Sequence, residues 1–169
     1  QTISPIQAGS AELPHYEILL RLIDEEGNIV LPMAFIPAAE RYSLMPTIDR
    51  WVVSATLEFM RELAGKGYHP IFSINLSGHS MGDRALLEEI INQIETTKIN
   101  PDQLCFEVTE TAAIAHMASA SRFIARLRDL GCHFALDDFG SGLSSFSYLK
   151  NLKVDYLKID GCFVRDMVT

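Results

Sequence analysis

The chain has 169 residues, 48% of them apolar and 21% charged, with a formal net charge of −8. That balance is ordinary for a globular domain. It excludes a membrane-spanning helix, since no run of about 18 apolar residues occurs, and the first ten residues lack the basic start and apolar stretch of a signal sequence. The acidity argues against duplex nucleic acid as a partner, because grip on a phosphate backbone normally needs a basic surface. A phosphate-bearing ligand stays compatible if cations stand between it and the carboxylates. Cys105, Cys132 and Cys162 are too widely spaced for a metal clip and odd in number. They predict core or near-core thiols in a reducing cytoplasm.

In chain order, residues 16–23 (YEILLRLI) read as a strand and residues 32–42 as a short helix. Residues 47–65 read as a helix whose apolar face is Ile48, Trp51, Val52, Ala55, Phe59 and Leu63, close to the 3.6-residue period. Residues 70–76 form a strand, and Asp83 caps a helix carrying Leu86, Leu87, Ile90, Ile91 and Ile94. A strand over 104–108 leads to a helix striped by Ala113, Met117, Ala120, Ile124 and Leu127 that ends at Gly131. Residues 133–137 form a strand, 144–152 a helix and 154–159 a strand. Strands separated by helices of this length predict βαβ crossovers and a mainly parallel sheet in a single domain.

A strand covered on both faces is nearly all apolar, yet each strand here carries a polar intruder: Glu17, Asn75, Glu107 with Glu110 just beyond it, Asp137-Asp138, and Lys158. In parallel α/β folds functional groups gather at the carboxyl ends of the strands, where Asn75, Glu107, Asp137 and Lys158 fall. Glu17 lies near the start of its predicted strand, so joining the others requires that strand to run antiparallel. Left unpaired, such buried groups cost several kcal/mol each, so they must satisfy one another or a cation. Carboxylates with an amide oxygen form a hard-oxygen set suited to Mg²⁺, Mn²⁺ or Ca²⁺. Two adjacent aspartates followed by the glycine-bearing turn at Phe139-Gly140 can face one site and bridge two cations about 3.5–4 Å apart.

The stretch DDFGSGLSSFSYL, from Asp137 to Leu149, closely resembles the DDFGTGYSSLSYL signature of EAL domains. LKID at 157–160, NLS at 75–77, FEVTE at 106–110, FIPAAE at 35–40 and DRWV at 49–52 match the family in order and spacing. The resemblance implies an α/β fold, a (β/α)8 TIM-like barrel with an antiparallel first strand. It implies hydrolysis of the bacterial second messenger cyclic di-GMP to linear pGpG with Mg²⁺ or Mn²⁺, two ions, in the cytoplasm. Carried onto matching positions, Glu17, Asn75, Glu107 and Asp137 resemble the metal ligands, with Asp138 for the second ion. Lys158 resembles the lysine that orients or activates the attacking water. Glu110 resembles the glutamate that holds the loop after Asp138. Arg21 resembles the phosphate-contacting arginine, and Phe35, Ile36, Pro37 and Gly140 a ligand-lining backbone. The family also implies homodimers and fused GGDEF or sensory domains.

The chain departs from the pattern in reading Glu17-Ile18-Leu19 for Glu-Ala-Leu, Ser4 for a glutamine and Leu143 for a tyrosine. A barrel of this type needs about 250 residues, so residues 1–169 imply one partial domain, an incomplete barrel without its last strands. The family's EGVET glutamate and QGY glutamine have no counterpart before Thr169. The alternative reading is a degenerate EAL receptor that binds cyclic di-GMP without cleaving it. A third is a partner-binding domain with no ligand.

Overall fold

The structure, a computed structural model, describes residues 1–3, 13–140 and 146–163. In chain order the elements are β1 (Thr2–Ile3), β2 (His15–Ile18), β3 (Leu22–Ile23), β4 (Ile29–Val30), α1 (Pro32–Arg41), α2 (Met45–Ala64) and β5 (Ile71–Asn75). There follow α3 (Arg84–Thr97), β6 (Leu104–Thr109), α4 (Glu110–Ala115), α5 (Met117–Asp129), β7 (His133–Phe139) and β8 (Tyr156–Ile159). Six strands form one sheet in the order β1-β2-β5-β6-β7-β8, and β3 and β4 form a separate hairpin. From β2 to β8 each strand pairs in parallel with the next. This is the strand succession of a (β/α)8 barrel, present here over part of its circumference.

Local chemistry sets the punctuation. The Asp83 side chain accepts a hydrogen bond from the Leu86 amide at 3.1 Å and caps α3 as its sequence predicts. After α5 the chain reverses at Gly131, with φ of +104°, a backbone state that costs a side-chain-bearing residue more. Alternation along the strands then divides the two faces. Phe72 and Ile74, Leu104, Phe106 and Val108, and Phe134 and Leu136 all join the core under the helices, where the Phe106 and Phe134 rings lie 5.6 Å apart. Their neighbours Ser73, Asn75, Cys105, Glu107, Ala135 and Asp137 occupy the opposite face, the inside of the curl.

Several sequence expectations are corrected. The apolar run YEILLRLI is not one strand: β2 stops at Ile18, and Leu22–Ile23 belong to the hairpin. Glu17 therefore sits near the carboxyl end of its strand and reaches the rim with β2 parallel to β5. The antiparallel first strand is β1, which pairs Thr2 with Tyr16 and Ile3 with His15. The helix expected through residue 131 breaks at His116 into α4 and α5. β7 runs on past Asp137 to Phe139 through an irregularity in its pairing with β8. The described part of the helix expected over 144–152 is a 3₁₀ turn, Phe146–Lys150. Helix α2 buries Asp49, Val52, Val53, Thr56, Leu57 and Met60, a face rotated from the predicted stripe, so Trp51 is 62% exposed and no core residue. Cys105 and Cys132 are buried, but Cys162 is exposed, in the turn after β8. Ser4 and Leu143 lie outside the described residues.

Candidate functional site

Four strands and one lysine build a single charged cluster at the carboxyl rim of the sheet. Glu17 lies one residue before the end of β2, and its Oε1 accepts a hydrogen bond from Asn75 Nδ2 at 2.9 Å. Glu107, 1% exposed, comes from the middle strand β6. Lys158 on β8 extends its ammonium into the group, donating to Glu107 Oε2 and, at 3.3 Å, to Asp137 Oδ2; Glu17 Oε1 lies 3.6 Å away. The sequence-predicted residues Glu17, Asn75, Glu107, Asp137 and Lys158 are thus brought together.

Burial would raise the Glu107 carboxyl and does raise it net, although the hydrogen bond and charge of Lys158 pull the other way. Burial acts to lower Lys158, but Glu107, Asp137 and Glu17 together hold the ammonium above its ordinary range. The same enclosure serves both groups: a cation is trapped among carboxylates that need one.

Asp138 follows Asp137 with φ of +53°, in the left-handed region, where the strand pairing shifts between Leu136 and Phe139. This irregularity, and not a simple strand end, turns the second aspartate relative to the first. The Asp138 amide donates to Asp137 Oδ1 at 2.9 Å. Burial, then the charges of Asp137 and Asp160, push the Asp138 carboxyl up. Glu110 is buried at the start of α4. It accepts from the Gly140 amide at 2.8 Å and from the Tyr148 hydroxyl at 2.5 Å. At Gly140 a Cβ would lie 2.9 Å from the Phe163 ring and φ is +92°, so glycine fits where other residues are strained.

The predicted ligand-lining residues divide. Ile36 lines a cavity of about 360 Å³ that also touches Leu19, Leu20, Ile48, Asn75 and Glu107, an apolar recess directly beside the cluster. Arg21 and Phe35 line a neighbouring apolar cavity with Trp51 and Tyr42; the Arg21 guanidinium folds back onto the Leu20 carbonyl at 2.7 Å. Pro37 is exposed within α1 and borders neither recess. Three contributors escaped the sequence reading. Tyr148 grips Glu110, and His15 Nε2 stands 2.8 Å from Ser73 Oγ at the foot of the cluster. Strand alternation was the available signal for the latter pair, each being two residues before a rim ligand candidate.

Among the described residues no three His, Cys, Asp or Glu side chains are placed as a ready metal cage; the position between the carboxylates holds the Lys158 ammonium. The donor chemistry nevertheless fits a hard divalent ion. Glu17, Glu107 and Asp137 already gather round one cation, and Asn75 adds an amide.

A partial α/β barrel with a carboxylate-and-lysine rim defines the class. Residues 4–169 match the EAL domain family, and the chain belongs to it. It is 42% identical over 158 residues to the cyclic di-GMP phosphodiesterase PdeB of Shewanella oneidensis, covering 94% of this chain and 18% of PdeB. It is 39% identical over 155 residues to the cyclic di-GMP phosphodiesterase PdeF of Escherichia coli, covering 92% of this chain and 21% of PdeF. The chain therefore spans about a fifth of the length of these relatives. The FimX EAL domain from Pseudomonas aeruginosa bound to c-di-GMP superposes with a TM-score of 0.87 at 31% identity, over 96% of this chain and 64% of that one.

Proposed function

We propose that this rim binds cyclic di-GMP and hydrolyses one of its phosphodiester bonds to give linear pGpG. The observation that carries the reading is the convergence of Glu17, Glu107 and Asp137 on one cation position, with Asn75 hydrogen-bonded to Glu17 beside it. The names of PdeB and PdeF, and the c-di-GMP-bound FimX domain, support the substrate. The whole protein's activity belongs to this proposal, because the chain covers only part of each relative.

In this reading Glu17, Asn75, Glu107 and Asp137 hold Mg²⁺ or Mn²⁺, and Asp138 serves a second ion. Bound there, the ions would supply Lewis-acid charge that lowers the pKa of a water and offsets charge on the phosphate. Lys158 donates a hydrogen bond to the attacking water and aligns it with phosphorus. Arg21 swings from its own backbone to a non-bridging phosphate oxygen. Glu110 fixes the loop after Asp138 through Gly140. The recess beside Asn75 and Glu107, with Ile36 on its wall, receives the ligand's base and sugar, and Phe35 extends that surface into the neighbouring cavity it shares with Arg21. No helix among the described residues is long and apolar enough to cross a membrane; a cytoplasmic setting, as one unit of a larger signalling protein, completes the reading.

The test is incubation with cyclic di-GMP and Mg²⁺ or Mn²⁺, with chromatography for pGpG. Turnover is expected, and Glu107→Gln should reduce it by at least about 100-fold, beyond what loss of an outer-shell partner does. Tight binding without turnover under either ion would replace the hydrolase with the receptor. No binding would end both readings.

A further inference from the structure

Asn75 differs from the rest of the rim. Glu17, Glu107, Asp137 and Lys158 are wholly or half buried, whereas Asn75, the last residue of β5, is exposed. Its Nδ2 donates to Glu17 Oε1 at 2.9 Å. Packing does not fix an exposed side chain, so keeping this amide in one place falls to the backbone that carries it.

That backbone is clamped from both sides. The Leu76 amide donates to the Glu107 carbonyl at 2.8 Å and carries the strand pairing one step past Asn75. The Ser77 amide then leaves the sheet and donates at 2.8 Å to Asp49 Oδ2. Asp49 comes from α2 and is only 3% exposed. The same oxygen accepts from the Ser80 hydroxyl at 2.6 Å. Ser80, fully buried, belongs to the 3₁₀ turn Gly78–Gly82, and its amide donates to the Ser77 carbonyl at 3.1 Å. On the other side the turn lies against α4, where a Cβ at Gly78 would stand 3.0 Å from the Ala112 Cβ. An apolar residue at position 49 would strand the Ser77 N–H and the sealed Ser80 hydroxyl. The carboxylate thus ties the turn behind Asn75 to a helix far back in the chain. It also lines the same recess as Asn75 and Glu107.

We infer that Asp49 and Ser80 are positioning residues, which pin the turn behind Asn75 to α2 and so set where the Asn75 amide stands relative to Glu17 and Glu107. They act through the Ser77 backbone and not on the ion. A backbone N–H can only donate, so the Ser77 bond keeps its direction whatever the charge of its neighbours. The inference rests on the proposed function only in taking the placed amide as a ligand of a divalent ion. Partners that orient a metal ligand are worth about 10–100-fold in affinity, and one acting through a backbone belongs at the lower end of that range.

Two measurements on the full chain test it. The first needs no metal: NMR of the side-chain amide protons of Asn75. In the wild type they should be well separated and slow to exchange, one of them held by Glu17. Asp49→Ala should move them to the positions of a free amide. Asp49→Asn, whose amide oxygen still accepts from Ser77, should restore them. Should Asp49→Ala fail to fold, Ser80→Ala, which removes only a hydroxyl, should shift the same signals in the same direction. A clamp that serves the fold alone would lower the melting temperature and leave the Asn75 signals in place, and that result overturns the inference. The second is Mn²⁺ affinity by calorimetry. Asp49→Ala should bind about 10-fold more weakly, Ser80→Ala should weaken binding to a smaller degree, and Asp49→Asn should recover it. Wild-type affinity in both Asp49→Ala and Ser80→Ala overturns the positioning role. A wild type that binds no Mn²⁺, but whose Asn75 amide is ordered and loses that order in the variants, overturns the metal reading and upholds the clamp.

Discussion

The middle of the sheet and its margins obey different rules. In β6 and β7 the residues under the helices are sealed: Leu104, Phe106, Phe134 and Leu136 are 0% exposed. At the β8 margin Leu157 and Ile159 are 45% and 63% exposed, and beside β2 the α2 face carrying Trp51 and Phe59 is open. The charged cluster straddles the two regimes. Glu107 projects from the sealed strand, whereas Lys158 reaches in from the exposed one. The packed centre supplies a carboxylate that cannot easily move or rehydrate, and the margin supplies the side chain that can.

The sharpest way to break this comparison is chemical. Burial pushes the Cys105 and Cys132 thiols up to about 12, some three units above an ordinary thiol. Only the thiolate reacts, so at pH 8 their alkylation should be slower than that of exposed Cys162 by on the order of 1,000-fold, before any steric exclusion. Mass spectrometry after brief iodoacetamide treatment should find the label on Cys162 alone. Raising the pH toward 10 should speed Cys105 and Cys132 tenfold per unit without bringing them level. Equal labelling of all three would mean that the centre opens as readily as the margin.

Next in size is a packing test. Phe134→Ala removes a ring that stacks against Phe106 in the core. It should cost about 3–5 kcal/mol, read as a lower urea midpoint, or leave the chain unfolded.

The same division explains what could be read from sequence. The rim residues were legible because a charge inside an apolar strand is conspicuous, and Asn75, Glu107, Asp137 and Lys158 stand at strand ends. The strand direction at Glu17 was misread because YEILLRLI is unbroken in character; nothing in it marks Ile18 as the last paired residue. Only tertiary pairing with Ile74 ends β2 there. That Lys158 joins the rim cluster was legible from its place late in its strand; that its ammonium lies between Glu107, Asp137 and Glu17 was not, since sequence spacing says nothing of reach across three intervening strands. Likewise Arg21 and Ile36 came as one group from resemblance, but side-chain direction sends them to different recesses.

A smaller effect probes the junction between the two regimes. Lys158→Met leaves Glu17, Glu107 and Asp137 facing one another without their cation, which should lower stability by about 1–3 kcal/mol in chelator. An added Mn²⁺ at 100 times its Kd stabilises a folded protein by about 2.7 kcal/mol. It should lift the melting temperature of the variant more than that of the wild type, where the ammonium already occupies the cation position. Identical melting in chelator would show that the carboxylates do not depend on Lys158. Identical Mn²⁺ shifts would show that ion and ammonium do not compete.

The smallest effect concerns Trp51, the sole tryptophan. A 3.6-residue stripe through Ile48, Ala55 and Phe59 makes it a core residue on paper. Yet the face that α2 buries runs through Val52, Val53, Thr56, Leu57 and Met60, and Trp51 borders open apolar recesses instead. Trp51→Ser should therefore change the stability of this chain by no more than about 0.5 kcal/mol, as exposed substitutions do, and wild-type emission should be that of a solvated indole. If Trp51→Ser lowered the urea midpoint as far as Phe134→Ala, the margin would be a packed core. Helix α2 would then be held by two apolar faces, and the distinction between centre and edge would fail where the periodicity of the sequence first denied it.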